Sequence, residues 1–175
     1  TDEESTWEKL RSEGKSWTEI LQSTYVPHMA LLRNLNGIFR EIHSSDILKQ
    51  VLDLLEKGVQ SGKQFPFRYY TAIQNLGDIV FKSDVEESLN RCLGKAMSNF
   101  PKLKGKSICL SDNSGSAWGA LTTEYGSVKV AEIDNLSSVM TAINSDEGYV
   151  GIFGDRLEIE AVNKEMDEIV GLVKV

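Results

Sequence analysis

The sequence holds little cysteine, proline or histidine, with two, three and two residues of each among 175. Cys92 falls in a helix-like stretch and Cys109 in a strand-like one. Neither has a C-x-x-C partner, so a disulfide framework is excluded and two buried thiols in a reducing compartment are expected. His28 and His43 have no cysteine or acidic pair at metal-ligand spacing, which leaves them capping, turn or surface roles. No apolar run approaches the roughly 18 residues of a membrane span, and the chain opens on the acidic "TDEES". Neither a transmembrane helix nor a signal peptide is read, and the cytoplasm is the expected location. Positive charge is also in deficit: 19 Lys and Arg against 26 Asp and Glu give a net charge of −7. Global attraction to nucleic acid or to an anionic membrane is disfavoured, leaving only a local basic patch for either.

What is present is a globular composition, 41% hydrophobic and 26% charged, in a chain long enough for one domain or two small ones. From Ser5 to about Phe100 the apolar period is helical. "STWE" and "SWTE" fit capping boxes, with Ser5 and Glu8 opening one short helix and Ser16 and Glu19 the next. Pro27 suits a first helical position, followed by a stripe of Leu31, Leu35, Ile38 and Ile42. "SSDILKQVLDLLEKGV" repeats the design with Leu48, Val51, Leu55 and Val59. "QFPFRYYTAIQNL" again sets proline ahead of a helix. Ser83 with Glu86 is expected to cap the last one, which turns Val85, Leu89, Cys92, Ala96 and Phe100 inward. A stack of helices joined by short turns is compatible with part of an α-solenoid.

After "PKLKGK" the period changes. "SICLS" and "GYVGIFG" read as buried parallel strands, and "RLEIEAV", alternating Leu157, Ile159 and Ala161 with charge, reads as an edge strand reached through a turn at Gly154 and Asp155. "VKVAEIDNLSSVMTAI" supplies a helix through Ile133, Leu136, Met140 and Ile143, and "NKEMDEIVGLVKV" a final helix capped by Asn163. Strand, helix, strand, strand, helix is the opening half of a doubly wound α/β sheet. Ile108 and Leu110 would then lie on an open edge although their strand has a central composition. A second copy of the chain, or a longer polypeptide, is expected to cover that edge.

At the carboxyl end of the first strand stands D-x-S-x-S: Asp112, Ser114 and Ser116. Ligands of open α/β sheets bind there, and alternate residues of an extended loop can offer one carboxylate and two hydroxyls to a hard cation such as magnesium, about half its shell of six oxygens. A plain Ser/Asn/Gly turn explains the same composition. "GALTTEYGS", just beyond, reads as a flexible loop. Enzymatic alternatives find no support. "EGKSW" has Lys9 where a phosphate-binding loop needs glycine, and Ser114 stands where a phosphoaspartyl hydrolase wants a second acid. No nucleophile, base and orienting group assemble from the motifs. For RNA the useful residues are Arg33 and Arg40 on one helix, Arg68 beside Tyr69 and Tyr70, and Lys102, Lys104 and Lys106. Phosphate contacts plus aromatic stacking hold single strands. Core packing of the tyrosines and an acidic partner for Arg68 are the competing explanation.

The segments "VPHMALLRNLNGIFREI", "KQFPFRYYTAIQNL" and "ICLSDNSGSAWG", in this order, resemble the TROVE module family, the Ro autoantigen and its bacterial relatives, over about Trp7 to Val162. The resemblance implies an α plus α/β fold. Residues 1–103 correspond to the last HEAT-like helical repeats of a ring, and residues 104–175 to the first half of a von Willebrand factor A domain. It further implies a non-enzymatic protein that binds small noncoding or misfolded RNA. Asp112, Ser114 and Ser116 would be the first ligands of a metal-ion-dependent adhesion site, to which the family adds a threonine and a second aspartate from loops beyond Val175. The alternative is a metal-dependent protein-interaction module without RNA binding.

Overall fold

The computed structural model describes residues 6–124 and 127–162. Six helices come first: α1 (Trp7–Ser12), α2 (Trp17–Ser23), α3 (His28–Glu41), α4 (Ser45–Gly62), α5 (Pro66–Gln74) and α6 (Lys82–Met97). Thr6, rather than Ser5, caps α1 by accepting from the Lys9 amide at 3.4 Å; Ser5 lies outside the described residues. The Ser16–Glu19 capping box forms as expected. Pro27 is the N-cap of α3, one position earlier than anticipated, whereas Pro66 takes the first turn of α5, where its missing N–H costs nothing. Helix α6 begins before Ser83, with Phe81 at a cap that has no side-chain bond, so the expected Ser83–Glu86 box falls inside the helix.

The apolar stripes become the core. Leu31, Leu35, Ile38 and Ile42 of α3 and its cap, and Leu48, Val51, Leu55 and Val59 of α4, are all buried. Each such side chain contributes about 1.5–3 kcal/mol by leaving water. Val85, Leu89, Cys92 and Ala96 of α6 have no exposure, while Phe100, past the helix end, is half-buried. Burial pushes the Cys92 thiol up to about 12, so it stays a neutral packing group. Glu41 fastens the first helices to α3, accepting from Arg11 at 2.6 Å and from the Trp17 amide at 2.8 Å. Among the described residues no helix is long and apolar enough to cross a membrane.

The α/β part follows as β1 (Leu103–Asp112), α7 (Gly115–Gly119), α8 (Val130–Ile143), β2 (Ser145–Phe153) and β3 (Leu157–Ala161), in sheet order β1-β2-β3. β1 and β2 are parallel, and β3 returns antiparallel through a turn in which the Gly154 amide donates to the Arg156 carbonyl. The final helix expected from Asn163 onward lies outside the described residues. β1 is longer than "SICLS" and irregular between Leu103 and Lys106, where Gly105 takes φ +84°.

Among the described residues one face of the sheet is covered, by α8. Gly148 makes that contact possible: a Cβ there would stand 1.9 Å from the Ala142 carbonyl oxygen at the end of α8. The other face carries Ile108, Leu110, Leu157 and Ile159, each about half exposed at 53%, 53%, 57% and 49%. The expectation of buried parallel strands is therefore corrected to half-buried ones, because a second covering layer is not among the described residues. The open edge at β1 is as the strand order implied. Among the described residues, Tyr70 joins the helical stack to the α/β part by donating to Glu132 of α8 at 2.8 Å, and Ser127 does so by donating to Asn75 Oδ1 at 2.7 Å.

Candidate nucleic-acid interface and cation loop

Helices α3 and α5 lie side by side and leave between them a groove of about 190 Å³ lined by Arg33, Asn36, Arg68, Asn75 and apolar neighbours including Met29 and Leu76. Arg33 and Arg68, far apart in sequence, thus share one surface. Arg40 follows Arg33 two turns along α3, near the Gly77 backbone. Asn36 donates to the Asn75 carbonyl at 2.8 Å and accepts from the Gly77 amide at 2.9 Å, which fixes the groove floor.

The helical part neutralises most of its other charge internally. Glu56 is reached by Arg91 at 2.8 Å and Lys95 at 2.9 Å, and Lys57, Lys82 and Arg11 have their own carboxylates. Among the described residues Arg33, Arg40, Arg68, Lys102 and Lys104 are in no ion pair. No described carboxylate pairs with Arg68; its guanidinium lies 5.0 Å over the Phe67 ring. Lys106 differs from the other five. On the outer face of β1 it pairs with Glu147 at 2.9 Å and sits 5.4 Å from the Tyr149 ring centre.

The tyrosines beside Arg68 are not stacking surfaces. Tyr69 and Tyr70 are wholly buried, the former bonded to His28 Nε2 at 2.7 Å and the latter to Glu132. His28 also departs from its expected surface or capping role: it is 6% exposed, and its pKa is lowered by burial. The ring fills a notch made by Gly58 and Gly62 of α4, where a Cβ would meet it at 2.4 and 2.6 Å. His43 lies exposed in the α3–α4 turn, as anticipated.

The loop after β1 brings the D-x-S-x-S side chains together. Asp112 ends the strand, Ser114 is the N-cap of α7 and Ser116 lies within that one-turn helix, which sequence reasoning had taken for loop. Asp112 Oδ1 accepts from the Ser114 amide at 2.8 Å, and the two serine Oγ atoms are 2.9 Å apart. Hydrogen bonds from the Ser114 amide and then its hydroxyl hold the Asp112 carboxyl below its usual range. Helix α8 braces the loop from behind, where Asp134 accepts from the Asp112 amide at 2.7 Å and Asn135 accepts from Ser111 and Asn113, and Trp118 of α7 donates to Asn113 at 3.1 Å. Among the described residues no group of three His, Cys, Asp or Glu side chains gathers as a metal cluster. The stretch after α7, expected to be flexible, is tied where it is described: Leu121 bridges Lys129, and the Thr122 amide donates to the Val128 carbonyl at 3.0 Å.

A stack of helices with a groove whose arginines pair with no described carboxylate, leading into a parallel-starting sheet with a hydroxyl-rich loop at its carboxyl edge, defines an α plus α/β protein. The TROVE domain matches residues 2–104, more than half of the sequence, and the chain belongs to that family. The crystal structure of the Ro (RSR) protein of Deinococcus radiodurans is similar, with a TM-score of 0.65 and 13% sequence identity over 90% of this chain. The chain spans 35% of that protein's length, and likeness at such identity speaks for the fold alone. No curated protein matches the sequence.

Proposed function

We propose that this chain is a non-enzymatic, cytoplasmic RNA-binding protein of the Ro kind, in which the helical region, residues 1–103, holds small noncoding or misfolded RNA and residues 104–175 form an A-domain-like unit. The observation that carries the RNA reading is the convergence of Arg33 and Arg68 on one groove, with Arg40 beside it and no acidic partner among the described residues. In a chain of net charge −7, cations in no ion pair that gather on one surface give a polyanion a local attraction that the global charge does not. Filter binding of a small structured RNA at two salt concentrations tests this. Affinity that falls with salt supports it, and RNA binding that is absent at low salt removes it.

The proposal extends to the loop. Two cis ligands of an octahedral magnesium at about 2.1 Å lie about 3.0 Å apart, and the serine Oγ atoms at 2.9 Å match that edge. Asp112, Ser114 and Ser116 would hold the ion, and its chemistry there is to offer open positions to an acidic partner group. If partner binding depends on magnesium and is lost in Asp112→Ala while RNA binding is absent, the metal-dependent interaction module takes the place of the RNA reading. The open β1 edge adds an assembly proposal: a second copy of the chain pairs there, since its free N–H and C=O groups and the exposed Ile108 and Leu110 template another strand.

A further inference from the structure

Phe65 is a large aromatic side chain left 62% exposed at the N-cap of α5. Its ring is nonetheless held in place. It stacks on Phe67 with centroids 5.8 Å apart and planes at 13°, and Phe100 meets it edge-on at 6.5 Å. One side of the ring opens on a cleft of about 420 Å³ walled by Lys63, Gln64, Asn99, Phe100 and Pro101. Exposed cations accompany it. Lys63 lines the cleft in a left-handed conformation with φ 46°, Lys102 is next in the chain after Pro101 of the wall, and Arg68 lies over the Phe67 ring on which Phe65 stacks. Lys63, like Arg68 and Lys102, is in no ion pair among the described residues. Arg68 also lines the α3–α5 groove, so its guanidinium, through the Phe67 ring, links the groove to the Phe65 ring that borders the cleft.

We infer that Phe65 is a base-stacking platform for an unpaired nucleotide, placed at the end of the phosphate-binding groove and flanked by Lys63 and Lys102. The inference rests on the RNA reading and makes it narrower. A flat, fixed ring with cations at its rim fits a purine or pyrimidine whose phosphates the cations neutralise. Duplex bases, stacked on one another, present no free face to it. Preorganisation matters: Phe67 and Phe100 already fix the ring, so little side-chain freedom is lost on binding.

The test compares the full chain with Phe65→Ala, Phe65→Leu and Phe65→Trp, titrated with an oligoadenylate of about 12 nucleotides and with an abasic oligomer of the same length. The expected result is oligoadenylate affinity about 10-fold weaker in F65A and F65L, retained in F65W, and abasic binding equal in all four. Salt dependence stays at the wild-type slope throughout, because no cation is removed. Equal oligoadenylate affinity in wild type and F65A, with salt-sensitive binding intact, overturns the platform and leaves the groove standing. F65L that binds like wild type also overturns it, since Leu is apolar but has no π face. A wild-type chain that binds neither oligomer overturns groove and platform together. Self-association lost in F65A without any change in RNA affinity assigns the ring to a protein contact and overturns the inference.

Discussion

Replacing Arg33 and Arg68 together with alanine removes two of five cations that the sequence offers to RNA and that are in no ion pair with a described residue: Arg33, Arg40, Arg68, Lys102 and Lys104. If each neutralises one phosphate of a single strand, log affinity falls against log salt with a slope of about −0.7 per contact, or about −3.5 for five. Between about 50 and 200 mM salt the wild type then loses roughly 130-fold in affinity. The double variant, with three contacts, has a slope near −2.1 and loses roughly 18-fold over the same interval. Lys106→Ala is the internal control. Its ammonium is paired with Glu147 at 2.9 Å and lies on the outer face of β1, so its slope stays at the wild-type value. Filter binding or fluorescence anisotropy at four salt concentrations measures all three. A double variant with the wild-type slope, or a K106A slope reduced like that of Arg33→Ala, would refute the assignment of the groove.

Gly148→Ala drives a methyl group into the Ala142 carbonyl 1.9 Å away, a backbone contact that α8 must move to relieve; about 3 kcal/mol or more is expected in urea unfolding, and a loss under about 1 kcal/mol would contradict the packing described. Tyr70→Phe leaves the Glu132 carboxylate without its 2.8 Å donor and should cost about 1.5–3 kcal/mol as a bond to a charged group; Tyr70→Phe at wild-type stability would show that this junction carries no weight. His28 has its pKa lowered by burial from an ordinary 6.5. The unfolded chain therefore binds a proton that the folded one refuses, and stability falls as pH drops below about 6.5. Urea midpoints at about pH 7.5 and 5.5 should separate in wild type and converge in His28→Gln; an unchanged separation in the variant places the effect elsewhere. Light scattering decides the second-copy proposal: a dimer has twice the 19.5 kDa mass, and Ile108→Lys should return it to monomer, whereas a monomeric wild type rejects pairing at β1.

The helical half was readable because its burial follows one period. Leu48, Val51, Leu55 and Val59 repeat every three or four residues, and all four are buried. Strand direction was legible too, since a helix between "SICLS" and "GYVGIFG" leaves room only for a parallel crossover, and that is how β1 and β2 pair. Helix starts were less so. Ser83 and Ser5 satisfied the capping pattern, yet the chain is capped at Phe81 and Thr6, because local hydrogen bonding yields to where the packed stripe begins. Burial of His28 escaped a reading based on histidine alone; the signal lay on another helix, in Gly58 and Gly62 four residues apart on the face of α4 that receives the ring. At the groove, periodicity could name Arg33 and Arg68 separately, but only the pairing of α3 with α5 brings them together. The tyrosines stand beside an arginine and yet are buried, whereas their neighbour Phe65 is left largely in solvent. Composition cannot tell an inward ring from an outward one.

Asn75 belongs to neither the cations nor the loop oxygens, yet every polar atom it has is bonded, its amide nitrogen to the Thr71 carbonyl at 3.0 Å. Its carbonyl takes Asn36, its Oδ1 takes Ser127 and its Nδ2 holds the Thr71 carbonyl at 2.9 Å. Ser127 lies on the same connection that leaves α7 and enters α8, and α8 in turn grips Tyr70 through Glu132. A sliding movement between the two halves therefore strains the Asn75 and Tyr70 bonds together. The same two bonds tie the groove to the helix that braces the D-x-S-x-S loop, so a change at either is felt at the joint between them.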